Sequence, residues 1–246
     1  MTQAATDQAE WVFNNLGYLR QNQRRQEHLV SLGLDLRDRT VLELGAGVGH
    51  HTTFFLDRGC LVTSVEPRPE NCAVYQSAFQ RAGYVSLPQG RGPALIQCPV
   101  EAIDTVLREP FDVVYNYGLL YHVADPELVL ALSAKWCRDL LLLETVVSYG
   151  AEEAINPTAE EGISPSQAVS GMGCRPTRPW IFRRLGELFE HVYVPKTQPA
   201  HEDFPLDWTT RSGRGSATRA VFVASRRPLS APTLLDHLPD KQTVAP

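Results

Sequence analysis

Apolar positions along this chain alternate between short unbroken runs and stretches where they recur every three or four residues. Over residues 8–32, Trp11, Val12, Leu16, Leu19, His28, Leu29 and Leu32 keep helical spacing. Gly33 supplies a stop. The runs 40–44, 61–65, 112–116 and 140–147 have strand length, and 94–97 is a weaker one. Helical spacing fills residues 50–58, 69–81, 100–108 and 126–137 between them. Pro69 suits a first helical turn, and Asp125 is placed to cap the helix after it. This order predicts an α/β fold with a parallel sheet and helices on both faces.

The alternation breaks at residue 148. Residues 148–179 are rich in Gly, Pro, Ser and Glu without a clear period, which predicts a lid or a disordered segment. A helix over 180–190 and strands at 191–194 and 217–225 follow, with a second irregular excursion over 195–215. The Pro-rich end is expected to fray. A single domain over 1–246 is therefore expected, with an N-terminal helix (8–32), a core (38–147), lid segments (148–216) and a flexible tail (228–246).

Composition adds exclusions. A chain of 246 residues buries one large core. No apolar run reaches membrane-span length, and the first residues have neither the basic end nor the apolar stretch of a signal peptide. The five cysteines include no Cys-x-x-Cys pair, which argues against a disulfide framework or a zinc site and for a reducing, cytoplasmic setting. A net charge of −5 argues against a dedicated nucleic-acid binder. Residues 175–227 nevertheless carry ten basic and five acidic side chains. They form either a solvated surface or a basic rim for an anionic substrate.

The candidate chemistry begins at Glu43-Leu44-Gly45-Ala46-Gly47-Val48-Gly49-His50, where the first strand turns into a helix. Glycines there let a ligand lie against the backbone. A dinucleotide fingerprint would need its third glycine at position 50, where His50 stands. The alternating pattern, followed by Val65-Glu66-Pro67, resembles the class I S-adenosylmethionine-dependent methyltransferases. That resemblance covers residues 38–147 and implies a Rossmann-like sheet of seven strands in order 3-2-1-4-5-7-6, the last antiparallel. It implies S-adenosylmethionine as cofactor and S-adenosylhomocysteine as product. Gly45, Ala46, Gly47 and Gly49 would then hold the methionine and ribose portion. Glu66, before Pro67, would accept from both ribose hydroxyls; charged hydrogen bonds contribute about 1.5–3 kcal/mol each. Glu43 would either organise the loop near the sulfonium or serve a structural role. Pro99 stands where many relatives place an adenine-binding acid, which leaves that contact to Val100 or Glu101. Tyr18, on the N-terminal helix, is a candidate for the methionine end.

The fourth-strand segment, running from Phe111 through Asn116 to Tyr121-His122, also resembles the family. Asn116 is a cofactor-side candidate. It is not followed by the Pro-Pro-aromatic run of base amino-methylation, and it replaces the acid a metal-dependent enzyme would use, so no metal is expected. Leu119-Leu120-Tyr121-His122 and Leu143-Glu144-Thr145 are similar to the enzymes that modify the wobble uridine of tRNA and to related small-molecule methyltransferases. His122 is either the base for a hydroxyl acceptor or a locally packed ring. Glu144 sits within a run of leucines, where a carboxylate is rare without a partner or a purpose. Both are catalytic candidates. Tyr121, Arg175, Arg178 and Trp180 are substrate candidates, suited to a planar or anionic acceptor, although a surface turn with a core tryptophan fits equally. The expected activity is methyl transfer to a hydroxyl, or another nucleophile, of a small or medium natural-product or sugar-like molecule. A tRNA modifier and a non-catalytic cofactor-binding subunit are the alternatives. No membrane partner is expected, nucleic acid is disfavoured, and a homodimer stays open.

Overall fold

The computed structural model describes residues 2–84, 92–211, 215 and 217–245. Residues 212–214 and 216 of the expected lid segments and the final residue of the tail lie outside the described residues. The strands are β1 (Thr40–Leu44), β2 (Leu61–Glu66), β3 (Ala94–Gln97), β4 (Phe111–Tyr117), β5 (Cys137–Val146), β6 (Pro157–Ala159), β7 (Met172–Cys174), β8 (His191–Pro195), β9 (Thr197–Gln198), β10 (Arg219–Ser225), β11 (Leu234–Leu235) and β12 (Thr243–Val244). The helices are α1 (Gln3–Phe13), α2 (Leu16–Ser31), α3 (Thr52–Leu56), α4 (Pro69–Arg81), α5 (Pro126–Lys135) and α6 (Arg178–Leu188).

The main sheet has the order β11-β8-β10-β5-β4-β1-β2-β3. From β3 to β5 every pairing is parallel, and β10 runs antiparallel to both β5 and β8. This is the expected seven-stranded order, extended at one edge by β11. The central strands are apolar without alternation because both sheet faces are covered. On one face, Val129 and Leu130 of α5 and Ile181 and Leu185 of α6 join the core. On the other, Leu29, Leu32, Phe54 and Phe55 do so. Among the described residues no helix is long and apolar enough to cross a membrane.

Three expectations need correction. The single helix expected over 8–32 is two helices, because Asn14 ends α1 and Asn15 caps α2 by accepting from the Tyr18 amide at 3.0 Å. Side chains that compete for backbone groups favour such boundaries. The turn sets Phe13 and Tyr18 edge to face, with ring centroids 5.1 Å apart. The helix expected over 100–108 is a 3-10 segment, Val100–Thr105. The tail expected to be flexible is laid against the domain, with β11 pairing to β8 and β12 to β9.

Gly49 shows how tightly the loop is held. Its φ is +89°, and a Cβ there would lie 2.8 Å from the Tyr75 ring on α4. Gly49→Val is expected to destabilise the protein by about 3 kcal/mol through strain and overpacking. Gly186→Ala, where nothing lies within 4 Å of the added carbon, should be neutral or stabilising by up to about 1 kcal/mol. Urea midpoints of the two variants check the contrast.

Candidate functional site

A cavity of about 520 Å³ opens at the carboxyl ends of β1, β2 and β4, the usual ligand position in open α/β sheets. Its floor is the loop after β1. Gly45 and Gly47 have positive φ, and Cβ atoms on them would approach Leu119 to 3.1 Å and Phe13 to 3.0 Å. These two glycines face the cavity, whereas Gly49 packs on α4.

Glu66 ends β2 at the cavity wall and is almost fully buried. Its Oε2 accepts from the Gly47 amide at 2.9 Å. Its Oε1 accepts from the Arg68 amide at 3.1 Å and from Asn71 Nδ2 at 3.0 Å. Burial raises its pKa, and these donors oppose the rise. A carboxylate offers about four lone-pair sites, so capacity remains for a ligand hydroxyl. Pro67, Val100 and Glu101 also line the cavity. Glu43 does not; with Gly45 and Ala46 it faces a small adjoining cavity. Glu43 accepts from Thr52 Oγ1 at 2.6 Å and Ser64 Oγ at 2.7 Å, tying β1 to α3 and β2, and burial pushes its pKa up to about 7. Asn116 is buried, its side-chain atoms have no hydrogen-bond partner among the described residues, and it does not reach the cavity. Its neighbour Tyr117 does line the cavity, with a hydroxyl that lacks a partner there.

The opposite wall comes from distant parts of the chain. Tyr18, Gln21 and Arg25 of α2 line it, with Tyr121, His122 and Arg219. Burial raises the Tyr18 hydroxyl to about 12, so it stays protonated. Glu144, the candidate acid on β5, does not line the cavity. It lies fully buried behind two arginines, 2.9 Å from Arg25 Nη2 and 3.1 Å from Arg219 Nη1. Arg219 Nη2 donates to the Tyr121 hydroxyl at 3.2 Å, and Gln21 Nε2 donates to Asp203 at 2.7 Å. The carboxylate thus fixes two guanidinium groups that the cavity sees.

The mouth is arched by residues 160–171, the connection of the β6–β7 hairpin. On one side, Arg68 Nη2 donates to the Gly162 and Gln167 carbonyls at 2.7 and 3.1 Å, and Asn71 Nδ2 to the Pro165 carbonyl at 3.0 Å. On the other, Glu160 meets His122. Arg175 does not line the cavity; it donates to Glu160 at 2.9 Å and to the Tyr121 carbonyl at 3.0 Å. Arg178 and Trp180 lie away from the site. Arg178 stacks on Trp208 and bonds the Pro239 carbonyl, and Trp180 is core. The first turn of α6 packs inward against the tail, which removes both from the set of substrate contacts.

Sequence reasoning missed Arg25, Asn71, Arg219 and Glu160. Arg219 heads an otherwise apolar strand, a signal of the same kind as Glu144. Glu160 carries no signal in a segment without period.

Replacing Glu144 by Gln leaves two buried guanidinium groups without their shared anion. A loss of about 3 kcal/mol is expected from breaking a buried pair, measured by urea unfolding. Unchanged stability would show that Asp203 alone compensates the arginines.

Residues 42–139 match a family described as "Methyltransferase domain". The chain is 28% identical over 123 residues to the tRNA U34 carboxymethyltransferase of Shewanella sp. (strain ANA-3), and 29% over 124 residues to that of Shewanella frigidimarina. The matches span 49% of this chain but only 35% of those relatives. Among solved structures, the N-terminal domain of EvdMO1 in the presence of SAH and D-fucose superposes with a TM-score of 0.62 at 20% identity, covering 92% of this chain and 84% of that one. Burkholderia thailandensis 1,6-didemethyltoxoflavin-N1-methyltransferase, with bound 1,6-didemethyltoxoflavin and S-adenosylhomocysteine, gives 0.56 at 21% identity, covering 90% and 88%. These likenesses show a shared fold. The family match falls on the strands that carry the glycine loop, Glu66 and His122.

Proposed function

We propose that this methyltransferase moves the methyl group of S-adenosylmethionine to a hydroxyl of a small or medium natural-product or sugar-like molecule. The observation that carries the reading is the arched cavity. It is bounded on one side by the glycine loop and Glu66, and on the other by tyrosines, arginines and a histidine whose Nε2 has no partner among the described residues. Its floor fits the cofactor, because Cβ atoms at Gly45 and Gly47 would narrow it and the Tyr117 hydroxyl there has no partner among the described residues. Gly45, Gly47 and Tyr18 would hold the methionine and ribose portion, Glu66 the ribose hydroxyls, and Pro99, Val100 and Leu119 the base.

When bound, S-adenosylmethionine supplies an already activated methyl group. The chain must therefore align the acceptor, which contributes on the order of 7–11 kcal/mol, and exclude water. His122 then takes the acceptor's hydroxyl proton. Burial lowers its pKa below the usual 6.5, with Glu160 pulling back upward, so the ring is neutral at pH 7. Tyr121 and Arg219 orient the acceptor's polar groups. The EvdMO1 domain, crystallised in the presence of D-fucose, lends support to a sugar-like acceptor.

The likeness to tRNA U34 carboxymethyltransferases favours a second reading, a tRNA modifier. Charge supports it less. In the basic run 175–227, Arg183, Arg184, Arg226 and Arg227 are engaged with acidic neighbours, and Arg178 is buried. Retention on tRNA at low salt, lost steeply as salt rises, would favour that reading.

A screen of hydroxylated acceptors with isotopically labelled cofactor, read by mass, tests the main reading; labelled product only from tRNA would overturn it. Glu66→Ala is expected to weaken S-adenosylhomocysteine binding at least tenfold by calorimetry, and an unchanged affinity would refute the ribose role. For the histidine, kcat/KM should rise with pH through an inflection below 6.5 and then level off, because only the neutral ring accepts a proton. His122→Ala should lose that limb and most turnover while retaining cofactor affinity.

A further inference from the structure

Glu160 lies just past β6, on the hairpin that arches over the cavity, 38 residues from His122 in sequence. Its Oε2 is 2.5 Å from His122 Nδ1 and accepts the Ala168 amide at 2.8 Å. Its Oε1 accepts from Arg175 Nη2 at 2.9 Å, and its own amide donates to the Gly171 carbonyl at 2.9 Å. The carboxylate is therefore held by three groups, and the backbone amide of Glu160 adds a tie within the hairpin. The hairpin is seated closely on the turn that carries the histidine. Cys174 Sγ donates to the Leu120 carbonyl at 3.3 Å, and a Cβ on Gly173 would run into the Tyr121 carbonyl. The other ring nitrogen, Nε2, has no partner among the described residues, and the ring lines the cavity.

We propose that Glu160 is the positioning residue of His122: it holds the ring in the Nδ1–H form with Nε2 presented to the cavity, so that the base is complete only when the hairpin is seated. This rests on the reading of His122 as base. A carboxylate against Nδ1 fixes tautomer and orientation and favours the imidazolium that forms as the proton arrives. Burial alone would raise the pKa of Glu160, but His122, the Ala168 amide and Arg175 hold it down to about 2, so it is ionised throughout the working range. The charged groups that influence His122 are Glu160, which raises its pKa, and Arg219 and Arg175, which lower it.

The two functional surfaces meet in this hairpin. Its far side is anchored by Arg68 and Asn71, and Asn71 also bonds the carboxylate expected to hold the ribose. Its near side orients the base.

The test is ¹⁵N NMR of the full chain labelled at histidine, with the His122 signals assigned from a His122→Asn spectrum. The wild type is expected in the Nδ1–H tautomer. Glu160→Ala should shift the ring toward Nε2–H. Glu160→Gln, which keeps shape and an acceptor oxygen, should keep the tautomer but lower the titration midpoint of His122. With an acceptor from the mass screen, Glu160→Gln should reduce kcat more than tenfold, leave KM within twofold, and move the acidic limb of the pH profile further toward acid. A wild-type ring in the Nε2–H form, or a tautomer and midpoint untouched in both variants, overturns the positioning role while leaving the base reading intact. Normal turnover by His122→Asn overturns the base reading, and this inference with it.

Discussion

The structure depends on keeping a carboxylate buried at the end of β2. Glu66 meets the bulk solvent hardly at all, so its charge has to be met by donors of the protein. Those donors come from three places: the glycine loop through the Gly47 amide, the turn after Pro67 through the Arg68 amide, and α4 through Asn71. Hydrogen bonds to a charged group are worth more than neutral ones and cost more when left unmade. One side chain therefore sets the relation of the loop to the helix. Through Asn71 and Arg68 it also sets the footing of the hairpin that covers the site.

A second knot of charge does the same on the far wall. Arg25, Glu144 and Arg219 bring α2, β5 and β10 together, and Gln21 and Asp203 extend the knot. The charges cancel once Asp203 is counted, yet Glu144 lies behind and the guanidinium groups in front. This wall thus gains donors without presenting the Glu144 carboxylate to a ligand. Rigidity comes from the same geometry, because each Glu144 oxygen meets one arginine and neither arginine can turn without breaking a contact.

The alternation of strands and helices and the glycine loop before Glu66 were legible in the sequence because local rules fix them, whereas the strand order came with the family resemblance. Strand runs, alternating glycines and the acid before Pro67 are contiguous signals. The N-terminal boundary was not legible as one helix or two, since the break turns on two asparagine side chains competing for backbone groups. The opposite wall of the cavity was read poorly for a different reason. Arg175, Arg178 and Trp180 have the right chemistry in one dense run, but α6 turns Arg178 and Trp180 inward. Arg25 and Arg219 sit in segments that read as ordinary helix and strand, and they meet only through Glu144. Glu160 is one glutamate among several in an irregular stretch; nothing in its neighbours distinguishes it. Long-range pairing decides these positions, and no local pattern encodes it.

The far wall of the cavity also carries a history of assembly. Gln21 bonds Asp203 and Arg20 bonds Glu202, each across 182 residues, and Arg25 reaches Arg219 only by way of Glu144. Contacts so distant in sequence are slow to form, because the loop they close must be ordered before they give anything back. During synthesis, β1, β2 and β4 can pair while the ribosome is still making the C-terminal third. The wall cannot close until β10 has emerged and found the second helix. A chain cut short upstream of residue 219 would keep the glycine loop and Glu66 but lack this wall. Completion of this wall is thereby tied to the arrival of β10.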